Sequence, residues 1–465
     1  MTFNLFARLE DPSLIQTSAF VNGQWIGSSH TFEVVNPSTR SILCKVGCAD
    51  TVQAQAAISA AAHAWPAWRG LTAKQRSTVL RDWFDLIMIH ADDLASILSA
   101  EQGKPLRESH AEVAYGAAFV EWYAEQAKRV NGEVIPAFQT DRRLIVTKQS
   151  IGVCAAITPW NFPMAMITRK VAPALAAGCT VIVKPAEQTP LSALALAELG
   201  LRAGIPPGVL NILPADARQS VAIGKTLCES AVVRHLSFTG STEVGRLLMA
   251  QCAPTVKKLA LELGGNAPFI VFDDADLESA VAGAIASKFR NAGQTCVCAN
   301  RIFVQSAIHD KFVATLCEAV HALKTGDAFD DAAMVGPLID DQAVEKAERH
   351  ITDAVSKGAQ VVVGGKALNG GFFEPTVMKG ANGHMLCFKE ETFGPIAPLY
   401  RFDTEDQVVQ MANDCETGLA GYLYTRDLGR AFRVAEALEC GMVGVNSALI
   451  SSEQVPFGEI GRAHV

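Results

Sequence analysis

The sequence predicts an α/β protein built on mostly parallel sheets with helices on both faces. Three observations carry that prediction. Apolar runs of strand length alternate with helical patterns from residue 151 onwards. The connections between them are rich in Gly and Pro. A second rhythm of the same kind occupies residues 268–445. Strand–helix–strand alternation needs crossover connections, and these lay helices over the faces of a parallel sheet.

The elements follow in order. Residues 19–26 and 31–35 read as extended. Residues 52–67 are Ala-rich, and residues 73–100 repeat apolar side chains at helical spacing. Residues 144–148 alternate as a strand does. The apolar run 151–157 ends at Thr158-Pro159-Trp160-Asn161-Phe162-Pro163. Residues 180–183 read as a buried strand that ends in Lys184-Pro185-Ala186-Glu187. A helix over 192–203 is closed by Gly204 and the turn Pro206-Pro207-Gly208. A strand over 209–213, a helix over 220–228 and a strand over 235–238 come next. Thr239-Gly240-Ser241-Thr242 then opens a helix over 243–251.

A chain of 465 residues exceeds one ordinary core and provides for two or three domains. Apolar residues make up 49% and charged residues 19%, the composition of a soluble globular protein. The net charge of −8 and the pI of about 5.7 argue against nucleic acid or an anionic membrane as a partner. No apolar stretch of membrane length and no secretory leader are read. The twelve cysteines lack metal-ligand or disulfide-framework spacing, so no metal is expected. Most lie in apolar runs, as Cys154 and Cys179 do, and read as buried thiols. Unpaired thiols fit a reducing compartment, and a cytoplasmic location is expected.

Two segments carry the chemistry. Cys296 stands in Gly293-Gln294-Thr295-Cys296-Val297-Cys298. Upstream, Leu261-Glu262-Leu263-Gly264-Gly265 sets a carboxylate between apolar residues and two glycines. A thiol with a base available points to covalent catalysis on a carbonyl. A buried thiol and a loop carboxylate are the plain alternative. Gly240-Ser241-Thr242-Glu243-Val244-Gly245 follows a strand and opens a helix, a setting that favours a pyrophosphate. Its spacing is neither GxGxxG nor a Walker loop, and a glycine-capped helix start explains it equally. Lys184 and Glu187 end another strand, where open sheets bind ligands, and are there either to hold ribose hydroxyls or as a solvated pair.

Taken together with Glu390-Glu391-Thr392-Phe393-Gly394-Pro395, these motifs stand in one order over residues 20–458. In that order the chain resembles the aldehyde dehydrogenase superfamily, and within it the succinate-semialdehyde group. The resemblance implies a Rossmann-type NAD-binding domain over 1–129 and 151–264 and an α/β catalytic domain over 265–446. It implies a small oligomerisation region over 130–150, a β-hairpin, and 447–465. Cys296 is then the nucleophile, Glu262 the base for the deacylating water, and Asn161 the oxyanion donor beside the Cys296 N–H. Lys184 and Glu187 hold the adenosine ribose. Thr158, Pro159, Trp160, Gly240, Ser241 and Leu263 line the adenine and pyrophosphate region. Glu391 and Phe393 place the nicotinamide end.

The same resemblance assigns Arg169, Arg290 and Ser452 to the distal carboxylate of a semialdehyde, a task suited to the planar fork of arginine. The expected reaction is oxidation of succinate semialdehyde to succinate. Glutarate semialdehyde or another aldehyde is the alternative, since one methylene discriminates by only about 1–3 kcal/mol. NAD is the expected cofactor, because a carboxylate at position 187 repels a 2′-phosphate, with NADP possible. Glu262 speaks against a CoA-acylating variant, and intact Cys296, Glu262 and Asn161 speak against a non-catalytic relative. Cys298 reads either as the partner of Cys296 in a reversible redox pair or as a thiol that merely packs.

After Val455-Pro456-Phe457-Gly458 the chain leaves the family pattern. The segment 459–465 back-translates to a sequence like a sequencing-adapter read, so the expectation is that it is artefactual and that the natural frame continues. The full protein is expected to be a homodimer or homotetramer. The chain as given, lacking a strand for a neighbour's hairpin, is expected to assemble poorly.

Overall fold

The computed structural model describes residues 4–460; of the tail expected to be artefactual, residues 461–465 lie outside the described residues. Two seven-stranded sheets organise the chain. The first runs in the order Lys258–Glu262, Val233–Thr239, Val153–Ile157, Thr180–Lys184, Leu210–Ile212, Ala19–Val21, Gln24–Ile26. Its first five strands are parallel and its last two antiparallel. The second runs Gln360–Val363, Thr376–Lys379, Ile396–Phe402, Ala299–Gln305, Ala267–Val271, Ala420–Tyr424, Met442–Val445, parallel except at the first pair.

The strands form where apolar runs are long enough to be covered on both faces. Every residue of Thr180–Lys184 and of Ala267–Val271 is buried, as a central parallel strand requires. Helix starts are set by side-chain caps. Asp50 with Gln53 and Thr72 with Gln75 form capping boxes, and Asp216 caps Ala217–Glu229.

The periodic stretch 73–100 is two helices, Ala73–Ile89 and Ala91–Gln102, broken at His90. The extended segment 19–26 is a tight hairpin around Asn22 and Gly23, both at positive φ. Helix Leu106–Gln126, absent from the sequence reading, packs on helix Ala165–Ala176. The pair Glu133–Ile135 and Leu144–Val146 forms a separate antiparallel hairpin whose side chains are mostly exposed.

Strand order in the first sheet reverses beside Val153–Ile157, which pairs with Thr180–Lys184 on one side and Val233–Thr239 on the other. Open α/β sheets bind ligands at the carboxyl ends of strands at such a reversal. In register, Phe238 faces Ile157 and Thr239 faces Glu262. The segments that begin at Thr158, Gly240 and Leu263 therefore leave the sheet side by side.

Candidate active site

Asn161 lies in the bend between strand Val153–Ile157 and helix Ala165–Ala176. Its backbone carbonyl accepts hydrogen bonds from Lys104 Nζ at 2.7 Å and Asn291 Nδ2 at 2.9 Å. Its own Nδ2 donates to the Gln294 carbonyl at 3.0 Å, which leaves the second amide hydrogen available. Lys104 is fixed in turn by Glu112 at 2.5 Å, and Glu112 accepts the Met164 and Ala165 N–H groups. Both partners of this pair are buried, so each depends on the other for its charge.

The loop bearing Cys296 starts in a strained turn. Asn291 and Ala292 both adopt left-handed backbone, at φ 51° and 53°. Residues other than glycine keep that conformation only where their surroundings impose it. Here Glu108 accepts the Asn291 N–H at 2.8 Å, Gln102 Nε2 donates to Asn291 Oδ1 at 2.9 Å, and Gln294 accepts the Ile339 N–H at 3.0 Å. Glycine is required at Gly293, where a Cβ would lie 2.2 Å from the Gly394 carbonyl oxygen. Burial and the carboxylates of Glu391 and Glu262 push the Cys296 thiol up to about 12, against an opposing pull from Arg169.

Glu262 ends its strand and is 2% exposed. Its charge is felt by Cys296 and by Lys170, whose ammonium burial brings down to about 7. Lys170 Nζ donates to Ser237 Oγ at 2.8 Å. Glu391 accepts the Gly265 N–H at 3.1 Å, and burial raises its carboxyl to about 7.

A cavity of about 650 Å³ joins these parts. Asn161 and Cys296 are on its wall. So are Pro159, Trp160, Gly240, Ser241, Leu263, Glu391 and Phe393 from the expected cofactor set, and Arg169 and Arg290 from the expected substrate set. Trp160 and Phe393 meet edge to face at 5.6 Å. Glu262, Thr158, Lys184, Glu187, Ser452 and Cys298 are not on the wall. Lys184 and Glu187 form a second station one strand over, paired at 3.6 Å, with the Lys184 carbonyl accepting the Thr158 N–H.

This crest fits a dinucleotide. The buried hydroxyls of Thr158 and Thr239 have no hydrogen-bond partner. Ser241 caps helix Thr242–Cys252, whose N-terminus adjoins the cavity. A Cβ on Gly240 would lie 2.4 Å from the Phe238 ring, so bare backbone is kept at that point.

At the other end Arg169 Nη2 donates to Tyr115 Oη at 2.7 Å and Ser451 Oγ at 3.3 Å. Its guanidinium lies over Phe457 at 4.3 Å and Phe119 at 4.8 Å. Arg290 lies over Phe162 at 5.5 Å. Among the described residues neither arginine is in an ion pair. Ser452, expected here, instead donates to Glu453 and accepts the Gln454 N–H, and its neighbour Ser451 faces Arg169. Consecutive serines in an irregular loop carry no pattern that selects one. Tyr115, Lys104 and Asn291 were missed, because each acts from an element or turn whose path the sequence does not disclose. Cys298 is 1% exposed, its thiol directed at the Lys288 and Ala299 carbonyls.

A crest of strand ends shares one cavity with a half-buried thiol under the influence of two carboxylates, an arrangement suited to an oxidoreductase. The chain belongs to the aldehyde dehydrogenase family, whose sequence profile matches residues 25–463. It is 56% identical to succinate-semialdehyde dehydrogenase [NADP(+)] GabD of Escherichia coli, over 97% of this chain and 94% of that protein. It is also 56% identical to glutarate-semialdehyde dehydrogenase of Pseudomonas putida, with the same coverage. The crystal structure of succinate-semialdehyde dehydrogenase from Burkholderia pseudomallei superposes with a TM-score of 0.96 at 56% identity, covering 98% of this chain and 95% of that one.

Proposed function

We propose that this enzyme oxidises succinate semialdehyde to succinate with NAD(P)+, with glutarate semialdehyde as the alternative substrate. The observation that carries the reading is the pair Arg169 and Arg290, on the wall of the cavity that holds Cys296 and in no ion pair among the described residues. Two arginines outside any close ion pair among the described residues, with Arg290 acting on the Glu108 carboxyl only through its field, are suited to an aldehyde that brings its own carboxylate. Relatives named for both semialdehydes support the class of substrate without separating the two.

The dinucleotide, when bound, supplies the acceptor for the aldehyde hydrogen as hydride. Thr158, Pro159, Trp160, Lys184, Glu187, Gly240, Ser241, Leu263, Glu391 and Phe393 would hold it. The Cys296 sulfur adds to the carbonyl carbon. Because the thiol is held up to about 12, its proton must pass to a base as the C–S bond forms. The Asn161 amide and the Cys296 N–H donate to the oxygen that becomes negative, and loss of one such donor costs about 3 kcal/mol. Departure of the hydrogen leaves a thioester on Cys296. Glu262 takes a proton from water, the resulting hydroxide attacks the acyl carbon, and the acid leaves as the thiol is restored.

NAD is the preferred form in this reading. Glu187 beside Lys184 would accept both ribose hydroxyls and oppose a 2′-phosphate, although the Escherichia coli relative is named for NADP. A redox pair of Cys296 with Cys298 would require the loop to turn the Cys298 thiol out of its carbonyl contacts. Twelve free thiols suit a cytoplasmic enzyme; among the described residues no helix is long and apolar enough to cross a membrane.

The test is kcat/KM for succinate semialdehyde, glutarate semialdehyde and butanal. Wild type should prefer the two anionic aldehydes. Arg169→Gln should lower kcat/KM for them by about tenfold to a hundredfold, the worth of one charged hydrogen bond, and leave butanal nearly unchanged. Equal use of butanal by wild type overturns the reading.

A further inference from the structure

Outside the cavity, His30, Cys48 and Asp216 bring one nitrogen, one sulfur and one oxygen ligand atom within 4.8 Å of one another. They come from three segments that main-chain bonds already pin together. The Cys48 N–H donates to the His30 carbonyl at 2.8 Å, and the Ala49 N–H to the Pro214 carbonyl at 2.7 Å. The side chains then converge. Asp216 Oδ2 lies 3.0 Å from His30 Nε2, and the Asp216 N–H donates to Cys48 Sγ at 3.3 Å. Asp216 Oδ1 is occupied by the Gln219 N–H at the start of its helix, at 2.7 Å, so the carboxylate is locked with Oδ2 turned towards the imidazole.

We propose that these three residues bind a divalent transition ion of the zinc class. A neutral imidazole, a thiolate and a carboxylate are the ligand types zinc and cobalt take. Tetrahedral zinc with bonds of roughly 2.0–2.3 Å separates its ligand atoms by about 3.3–3.6 Å. The separations here, from 3.0 Å up to at most 4.8 Å, bracket that range. Closing the site takes a side-chain adjustment in which the Cys48 thiol leaves its contact with the Ala49 carbonyl at 3.6 Å. The Cys48 proton leaves to solvent on binding, and the cation replaces it on sulfur. His30, with its side chain 63% exposed, provides the way in, while Cys48 at 2% exposure forms the floor. Three protein ligands leave a fourth position for water on the solvent side. A bare surface ion pair between His30 and Asp216 would need no buried thiol beneath it. The ligands stand up to 186 residues apart in the chain, so no spacing motif could disclose them.

The test is cobalt titration of the full chain carrying Cys296→Ser, so that the catalytic thiol contributes nothing, in a non-thiol reductant. One equivalent should bind with a cysteinate-to-cobalt charge-transfer absorption, and zinc should remove that absorption. His30→Ala, at an exposed position, should weaken binding by more than about a hundredfold, beyond what loss of an outer partner does. Cys48→Ser should abolish the absorption, and circular dichroism should show both variants folded. Charge transfer that persists in Cys48→Ser, an affinity unchanged in His30→Ala, or no absorption at saturating cobalt overturns the proposal.

Discussion

Gly265 lies against the Cys296 carbonyl so closely that a Cβ at Gly265 would sit 2.1 Å from that oxygen. The neighbouring Gly264 is less tightly held, with a Cβ placed 2.9 Å from the side-chain oxygen Glu391 Oε2, and the Gly265 N–H binds Glu391 Oε1. The two glycines are where the nucleophile loop, the Glu262 strand and Glu391 come together. Each motif is thus a spacer for the other two.

Gly265→Ala tests this contact directly. The new methyl must push the Cys296 loop away, because the opposing atom is backbone and cannot rotate aside. A displacement of about 1 Å at a reacting group costs on the order of a hundredfold in rate. The expected result is a fall in kcat of that order with cofactor binding retained, measured by steady-state kinetics and by quenching of protein fluorescence. A kcat near wild type would show that the loop has room.

Alkylation of Cys296 by iodoacetamide reports its ionisation without turnover. With the thiol up at about 12, the rate in the free enzyme should keep rising with pH, about tenfold per unit, past the range where an ordinary thiol levels off. Glu391 carries charge above about 7 and is the larger of the two carboxylate influences on the thiol. Glu391→Gln should therefore speed alkylation by about threefold to tenfold above that pH and little below it, even as turnover falls. The same carboxyl keeps a proton in the folded state up to about 7, whereas the unfolded chain releases it near 4.5. Its contribution to stability is accordingly lost as pH rises through that interval. An alkylation rate already flat at neutral pH would contradict the ionisation argued here.

Cofactor choice rests on the Lys184–Glu187 pair. In wild type the carboxylate claims part of the lysine charge that would otherwise meet a 2′-phosphate. Glu187→Ser frees that charge and removes the repulsion. The ratio of kcat/KM for NADP to that for NAD should rise by about tenfold or more, as for one buried charged contact. A wild-type preference for NADP, or an unmoved ratio in the variant, would defeat the assignment.

The sequence was legible where one local rule governs. The parallel strands show as apolar runs, and the strand read over 180–183 is found as Thr180–Lys184 because burial on both faces removes polar residues, whereas Ala267–Val271 was covered only by the general rhythm of residues 268–445. The strand-end segments at Lys184 and Gly240 could be placed because a parallel sheet fixes where its crest must be, whereas Asn161 was singled out only by the resemblance to the family. Side chains that work across elements were not legible. Lys104 reaches Asn161 from 57 positions away, and Tyr115 reaches Ser451 from 336. Nothing local in either residue marks its target. The break at His90 was hidden for a different reason: apolar periodicity continues through it while the helix axis turns.

The exposed hairpin yields the prediction about assembly. Val134 is 78%, Phe138 71% and Ile145 69% exposed, all on or between strands Glu133–Ile135 and Leu144–Val146. A two-stranded hairpin is marginally stable by itself, and apolar side chains on it call for a cover. A second copy of the chain would supply one of matched shape, and a homodimer or homotetramer is the outcome this predicts. Against the expectation of poor assembly, light scattering on wild type should give a multiple of the monomer mass. Val134→Lys with Ile145→Lys places two charges on each apolar strand pair and should lower that mass, with circular dichroism unchanged because neither side chain belongs to a core. A wild type that stays monomeric across a wide concentration range would remove the hairpin from any role in assembly.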